Sequence, residues 1–307
     1  MQSTKNILLI RPSNFTYNSE TAASNNFQNK IETENNDTIK SKVLIEFELF
    51  AEKLKSKGVN AFIFDDTIYP PKPDAIFPNN WVTFHQDGTV ILYPMCAPNR
   101  RHERRQDIID TLKKDFIIKE VIDLSKFEKE NRFLEGTGSI IFDHKNKIAY
   151  ACLSPRTDKE LFIEVCNIIK YKPVYFTACD QAGIEIYHTN VMMCIAEKFA
   201  VICLDSIVDE QEKKFVSNSL INTGYQIIDI TFDQMSNFAG NMLAIKTNDN
   251  KSILALSQSS FHCLTANQKE EIKKYAELVP LAIKTIETIG GGSARCMIAE
   301  IFLQAVH

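Results

Sequence analysis

Along this chain, short apolar runs alternate with longer stretches in which apolar residues recur every three or four positions. Ile7-Leu8-Leu9-Ile10 and Ala61-Phe62-Ile63-Phe64 read as strands, and Ile45, Phe47, Leu49, Phe50 and Leu54 predict a helix between them that Gly58 can end. Trp81 to Phe84, the turn Gln86-Asp87-Gly88 and Val90 to Tyr93 predict a hairpin, since Asp-Gly between apolar alternations favours a tight turn. A helix with Ile108, Ile109, Leu112 and Phe116 on one face follows, then the strand Val121 to Leu124. The unit is ββαβ.

The unit recurs. Ser139 to Phe142 and Ile148 to Ala151 predict a hairpin, Ser154 or Thr157 can cap a helix bearing Leu161, Phe162, Val165, Ile168 and Ile169, and Pro173 to Phe176 closes the unit. Val191 to Ile195, Phe199 to Leu204, a helix around Phe215 and Leu220, and Gln226 to Ile230 form the next. Met242 to Ile245, Ser252 to Leu256, a helix from about Thr265 with Ile272, Tyr275 and Val279, and a strand near Ile283 to Ile286 form another.

The period of roughly 50 to 60 residues lies in the range of repeat architectures. The first unit lacks an opening strand, which Cys296 to Leu303 is expected to supply beside Asn6 to Ile10, closing a ring and hiding both sheet edges. The pattern favours one α/β domain over residues 1–307, a five-bladed propeller of ββαβ units, with a two-domain sheet-plus-helix arrangement as the alternative. A Rossmann order is disfavoured, because hairpins interrupt it and no GxGxxG occurs. Residues 13–42 are polar and Asn-rich and read as a long loop, whether lid, interaction loop or disordered.

Composition acts by exclusion. With 44% hydrophobic and 24% charged residues the chain is of the soluble globular kind, and no apolar run reaches bilayer length. The opening apolar run is closed at once by Arg11-Pro12, as a strand would be and a secretory signal would not. A net charge of −4 argues against a nucleic-acid platform. Eight Cys without a CxxC pair and six His without HExxH predict reduced thiols in a cytoplasmic protein, with no metal and no cofactor. Oligomeric state is open, homo-oligomers included.

The residues just before each opening strand are Asn80, Glu135, His188, Asn241 and Cys296, spaced by 55, 53, 53 and 55 positions. In a ring of repeats, equivalent positions converge on the axis, so these five would meet in one pocket. Singly each has a plainer reading, such as a buried Cys or a turn Asn. Together, a Cys, a His to manage its proton and a carboxylate to orient the His are the parts of nucleophilic catalysis. Gly290-Gly291-Gly292 ahead of Cys296 suits a tight loop presenting sulfur to a small molecule.

Phe77-Pro78-Asn79-Asn80-Trp81, Leu134 to Ser139, Ser154-Pro155-Arg156-Thr157, His188-Thr189-Asn190 and Gly290 to Cys296 resemble, in order, the motifs of the guanidino-modifying enzymes. That superfamily includes arginine deiminase, dimethylarginine dimethylaminohydrolase and the amidinotransferases, and its fold is the five-bladed α/β propeller, or pentein. Within it the chain most resembles citrulline-utilising hydrolases. The resemblance implies Cys296 as nucleophile, His188 as general acid/base and Glu135 as its orienting carboxylate. It implies Arg156 as a holder of the substrate α-carboxylate, with Arg101 in a second carboxylate-binding stretch. The chain departs from arginine deiminases at Asn80 and Asn190, where those enzymes carry Asp. Two carboxylates grip a guanidinium; amides offer donors to a neutral ureido oxygen and to the oxyanion it becomes. Asn79 is an alternative to Asn80. The family's Glu-Gly-Gly-Asp reads Glu135-Gly136-Thr137-Gly138, which has no fourth-position acid.

The expectation is hydrolysis of L-citrulline to L-ornithine, ammonia and carbon dioxide through a covalent adduct on Cys296, the partner being a small ureido or guanidino amino acid. Arginine deimination or amidino transfer on the same machinery is the first rival, and a non-catalytic propeller acting as a binding module the second.

Overall fold

The computed structural model describes residues 1–31 and 35–306, so positions 32–34 of the polar 13–42 stretch lie outside the described residues. Among the described residues the strands are β1 (Asn6–Arg11), β2 (Asn60–Asp65), β3 (Val82–Phe84), β4 (Thr89–Leu92), β5 (Glu120–Asp123), β6 (Ile141–Asp143), β7 (Ile148–Cys152), β8 (Lys172–Phe176), β9 (Met193–Ile195), β10 (Phe199–Ile202), β11 (Gln226–Asp229), β12 (Leu243–Lys246), β13 (Ser252–Ser257), β14 (Glu277–Leu281) and β15 (Ala299–Glu300). They form five three-stranded sheets: β15-β1-β2, β3-β4-β5, β6-β7-β8, β9-β10-β11 and β12-β13-β14.

Every sheet has the same grammar. A hairpin pairs its first two strands antiparallel, and a helical crossover brings the third back parallel to the second. The first sheet keeps this order with strands from opposite ends of the chain: β15 pairs antiparallel with β1, Ile7 opposite Glu300 and Leu8 opposite Ala299, while β2 runs parallel to β1.

The helix Lys159–Ile169 shows how sequence sets a crossover. Leu161, Phe162, Val165, Cys166 and Ile169 fall on one buried stripe, the Asp158 side chain accepts from the Leu161 N–H at the start, and Lys170 ends it at φ +60°. Each large side chain buried this way is worth about 1.5–3 kcal/mol. No helix among the described residues is long and apolar enough to cross a membrane.

Several boundaries differ from the sequence reading. The first crossover helix starts at Asn36, capped by the Asn35 side chain on the Thr38 N–H, so the polar stretch is helical over its last part and carries a further short helix, Ser19–Ala22. Its buried stripe is Ile39, Val43, Phe47, Phe50, Ala51 and Leu54, with Ile45 and Leu49 on the exposed face. Asp158, not Ser154 or Thr157, caps the third unit's helix. In the fourth unit Val216 and Leu220 are buried and Phe215 is exposed. The last crossover helix ends at Lys273, Val279 lies in β14, and the segment expected as a strand near Ile283 is the helix Lys284–Gly290. There Ile286 and Ile289 face inward three residues apart, a helical spacing. The C-terminal strand is only Ala299–Glu300.

The C-terminal segment also joins the first sheet to the second. The Ile301 N–H donates to the Asn6 carbonyl at 2.9 Å, its own carbonyl accepts from Thr4 Oγ1 at 2.8 Å, and Phe84 bridges to Ile301. Ile301 is fully buried. Ile301→Ala is expected to cost about 2–5 kcal/mol, read as a fall in urea midpoint at constant m-value. A loss under about 0.5 kcal/mol would show that this seam carries no stability.

Candidate active site

In the third and fourth units a single helical turn, Gly136–Ser139 and Thr189–Met192, separates the aligned polar residue from its opening strand, and in the second Asn80 is itself the last residue of the turn Pro78–Asn80. Glu135 and His188 occupy the cap positions, with non-helical backbone at φ −99° and −138°. The side chain at the cap can therefore face the space between the sheets while the strand behind it enters the core. Two glycines make the approach possible. A Cβ on Gly136, at φ +45°, would lie 2.2 Å from the Asn79 carbonyl oxygen, and one on Gly138 would lie 2.3 Å from Asn80 Nδ2 and 2.7 Å from the His188 ring. An Asp at position 138 has no room, which accounts for the missing fourth-position acid.

Glu135 is fully buried. Its Oε2 lies 2.8 Å from His188 Nε2, 3.6 Å from Arg156 Nη1 and 3.9 Å from Arg100 Nη1, and its Oε1 accepts from the Cys96 N–H at 2.9 Å. Burial alone would raise its pKa; the Arg156 charge, the His188 hydrogen bond and Arg100 outweigh burial and hold it well below the usual carboxylate range. For His188 burial dominates: it lowers the imidazole to about 4 against the opposing pull of Glu135, so at neutral pH the ring is neutral. With Nε2 on the carboxylate, the other ring nitrogen, Nδ1, is left for chemistry.

The Cys296 sulfur accepts from Asn190 Nδ2 at 3.3 Å and from Asn241 Nδ2 at 3.2 Å. Asn241 is held in turn, its Nδ2 reaching the Asn190 carbonyl at 3.0 Å and its Oδ1 taking the Arg295 N–H at 3.1 Å. Asn190 Oδ1 is buried with no partner.

A small cavity of about 20 Å³ opens on these groups, lined among others by Asn80, Arg100, Arg156, His188, Cys296, Asp74, Tyr187 and Gly290 to Gly292. Three of the chain's guanidinium and carboxylate groups here were not read from sequence as site residues or were read one position off. Arg100, not Arg101, faces the cavity. The stretch Pro98–Glu103 is a 3₁₀ helix, which puts Arg100 and Glu103 three residues apart on one side, where Nε and Nη2 fork onto the carboxylate at 2.8 Å each. Arg101 points the other way, onto the Met95 and Cys96 carbonyls. Asp74 is buried, accepts at Oδ2 from Asn18 and Thr21, and leaves Oδ1 without a partner. Asn79, the alternative to Asn80, is fully buried with both amide atoms unpartnered and does not line the cavity.

The polar stretch after Ser13 forms the cavity's roof. Ser24 Oγ and the Thr21 carbonyl take the Arg156 fork at 2.6–3.0 Å, Asn25 Nδ2 reaches the Gly291 carbonyl at 3.3 Å, and Gln28 Nε2 reaches the Ile289 carbonyl at 3.3 Å. Arg156 also stacks over Tyr187 at 5.0 Å. Among the described residues no cluster of three or more His, Cys, Asp or Glu side chains converges as a metal site requires.

The family model described as N,N dimethylarginine dimethylhydrolase, eukaryotic, matches residues 11–303. No curated protein matches the chain by sequence. The apo structure of ArgZ, an arginine dihydrolase from the ornithine-ammonia cycle in Cyanobacteria, superposes with a TM-score of 0.74 at 15% identity over 96% of this chain. This chain spans 40% of that protein's length. The N-terminal domain of ArgZ, as a cysteine-to-serine variant bound to substrate, matches over 97% of this chain and 99% of the domain, with 15% identity and a TM-score of 0.73. A dimethylarginine dimethylaminohydrolase, as a histidine-to-glycine adduct with S-methyl-L-thiocitrulline, matches over 98% of this chain and 100% of its own, with 16% identity and a TM-score of 0.65. At such identities the structural likenesses establish the fold, an α/β arrangement of small repeated units shared with these pentein enzymes. The match across residues 11–303 establishes the rest: the chain belongs to the eukaryotic-type dimethylarginine dimethylhydrolase family of the guanidino-modifying pentein superfamily.

Proposed function

We propose that this cavity hydrolyses the ureido group of L-citrulline, with Cys296 as nucleophile, His188 as general acid/base and Glu135 as the carboxylate that orients it. The observation that carries the reading is the set of amides at the reacting end: the sulfur lies between Asn190 and Asn241, and Asn80 lies beside the His188 ring. Neutral amides suit a neutral ureido group. The five sheets are, on this reading, blades of a closed ring that forms a single catalytic domain in the cytoplasm.

The thiol proton passes to neutral His188 as sulfur bonds to the ureido carbon. Negative charge collects on the ureido oxygen, where a preorganised amide donor is worth roughly 3 kcal/mol. Asn80 supplies that donor. Asn190 has its N–H on the sulfur, so its open atom is the acceptor Oδ1, suited to a ureido N–H. The C–N bond then breaks as protonated His188 returns the proton to the departing amine. Water, deprotonated by the same ring, breaks the S–C bond, and the resulting carbamate decomposes to carbon dioxide and amine. At the far end of the substrate, Arg156 takes the α-carboxylate by exchanging its Ser24 hydrogen bonds, and the open Oδ1 of Asp74 takes the α-ammonium.

A second reading, hydrolysis of a guanidino group, is favoured by the family itself and by the arginine-bound relatives. Product release separates the two: ornithine and ammonia from citrulline, against citrulline with ammonia from arginine or with dimethylamine from dimethylarginine. Citrulline is expected to be turned over fastest, and Cys296→Ala is expected to reduce that to background; faster turnover of arginine replaces the ureido reading with the guanidino one.

Two further outcomes follow from the geometry. The acid limb of kcat/KM for citrulline is expected near pH 4, because His188 must be neutral to accept a proton and loses that form as pH falls through its lowered pKa. A limb near 6.5, the ordinary imidazole value, would show that burial does not depress the His188 pKa. Paired Asn80→Asp and Asn190→Asp substitutions are expected to lower citrulline turnover by about 10²-fold or more while creating affinity for arginine, measured by competition.

A further inference from the structure

We infer that Arg100 is a specificity-determining residue that acts by fixing which way the Asn80 amide faces, and that it is not an anchor for the substrate's α-carboxylate. The inference rests on the ureido-hydrolase reading above.

Arg100 lines the cavity with a guanidinium, which would ordinarily mark it as a carboxylate clamp. Its hydrogens are already placed. Nε donates to Glu103 Oε1 at 2.8 Å, Nη2 to Glu103 Oε2 at 2.8 Å and to the Phe77 carbonyl at 3.4 Å, and Nη1 to Asn80 Oδ1 at 2.9 Å. Four of the five N–H groups of the fork are thus engaged, and the remaining Nη1 hydrogen has Glu135 Oε2 at 3.9 Å. The buried Arg100 and Glu103 side chains hold each other in this orientation.

An Asn amide can face either way with little change in shape, and only its partners decide. A guanidinium has donors and no acceptor, so it can take Oδ1 and cannot take Nδ2. Arg100 therefore forces the amide's donor to the opposite side, where a Cβ on Gly138 would touch both Nδ2 and the His188 ring. Among the described residues Nδ2 donates there to the Glu135 carbonyl at 3.5 Å, a long contact that leaves Nδ2 hydrogens to spare. A donor beside the general base suits a developing oxyanion. Turned over, the same amide would present an acceptor, which suits a guanidinium N–H.

The test uses Arg100→Lys, which keeps a cation beside Glu135, and the pair Arg100→Leu with Glu103→Leu, which leaves neither member of that ion pair buried alone. Both are compared with the native protein for kcat and KM on citrulline and arginine. The expected result is a fall in kcat on citrulline of about 10²–10³-fold with KM within about threefold, and a citrulline-to-arginine preference that falls by at least tenfold. General damage would lower both substrates together and leave the preference unchanged, which overturns the proposal. So does a KM for citrulline raised tenfold or more at unchanged kcat, the signature of a lost anchor. A crystal structure of Cys296→Ser with bound citrulline reads the same question without altering Arg100: Nη1 stays on Asn80 Oδ1 if the proposal holds, and turns onto the ligand carboxylate if it does not. If the native protein does not hydrolyse citrulline at all, the ureido reading fails by itself; the same crystal experiment with bound arginine then still reports whether Arg100 holds the amide.

Discussion

A carboxylate sealed from water is costly unless cations surround it, and Glu135 is where this molecule meets that demand. Two guanidiniums and one neutral imidazole N–H meet it from different units: Arg100 from the second, Arg156 from the third, and His188 from the turn that opens the fourth. None of the three could be withdrawn without leaving Glu135 short of compensation. The polar centre therefore links three of the units through one side chain. It also fixes His188: with Nε2 on Glu135, the ring's tautomer and plane are determined before any substrate arrives.

The same economy of partners runs outward from the centre. Asn80 is oriented by Arg100, Arg100 by Glu103, and the thiol by two amides, of which Asn241 is itself held by the backbone ahead of the thiol. Asn80 and Asn241 take their direction from neighbours that can only donate, Arg100 and the Arg295 N–H. Where atoms are left unpartnered, at Asp74 Oδ1 and Asn190 Oδ1, they are acceptors beside a site whose proposed substrate carries N–H groups at both ends.

The repeat and its phase were legible because each unit is written twice over, once in its hairpin and once in its helix. Asn80, Glu135, His188, Asn241 and Cys296 could be aligned without knowing any contact. What escaped was whatever the repeat does not dictate. Arg101 and Arg100 are indistinguishable by composition, and only the three-residue period of the 3₁₀ turn at Pro98–Glu103 selects one of them. Asp74 gave no periodic signal among its prolines. The segment near Ile283 has apolar residues at 281, 283, 286 and 289, which fit a strand's richness and a helix's spacing at once. The stretch from Asn18 to Gln28 escaped for a different reason: it is mostly polar, and apart from Phe27, which packs on Tyr187 and Phe238, it is held by hydrogen bonds.

That polar roof sets how the cavity can exchange its contents. Asn, Thr, Ser and Gln side chains trade a protein partner for water at a net cost of about 1 kcal/mol per bond, whereas unpacking the walls would expose core residues at several times that. A molecule enclosed beneath Thr21 to Gln28 thus has an easy way out on one side and none on the others. Residence time then depends on a few side-chain hydrogen bonds near the N-terminus, three of which end on Arg156 and so are shared with the charge that compensates Glu135.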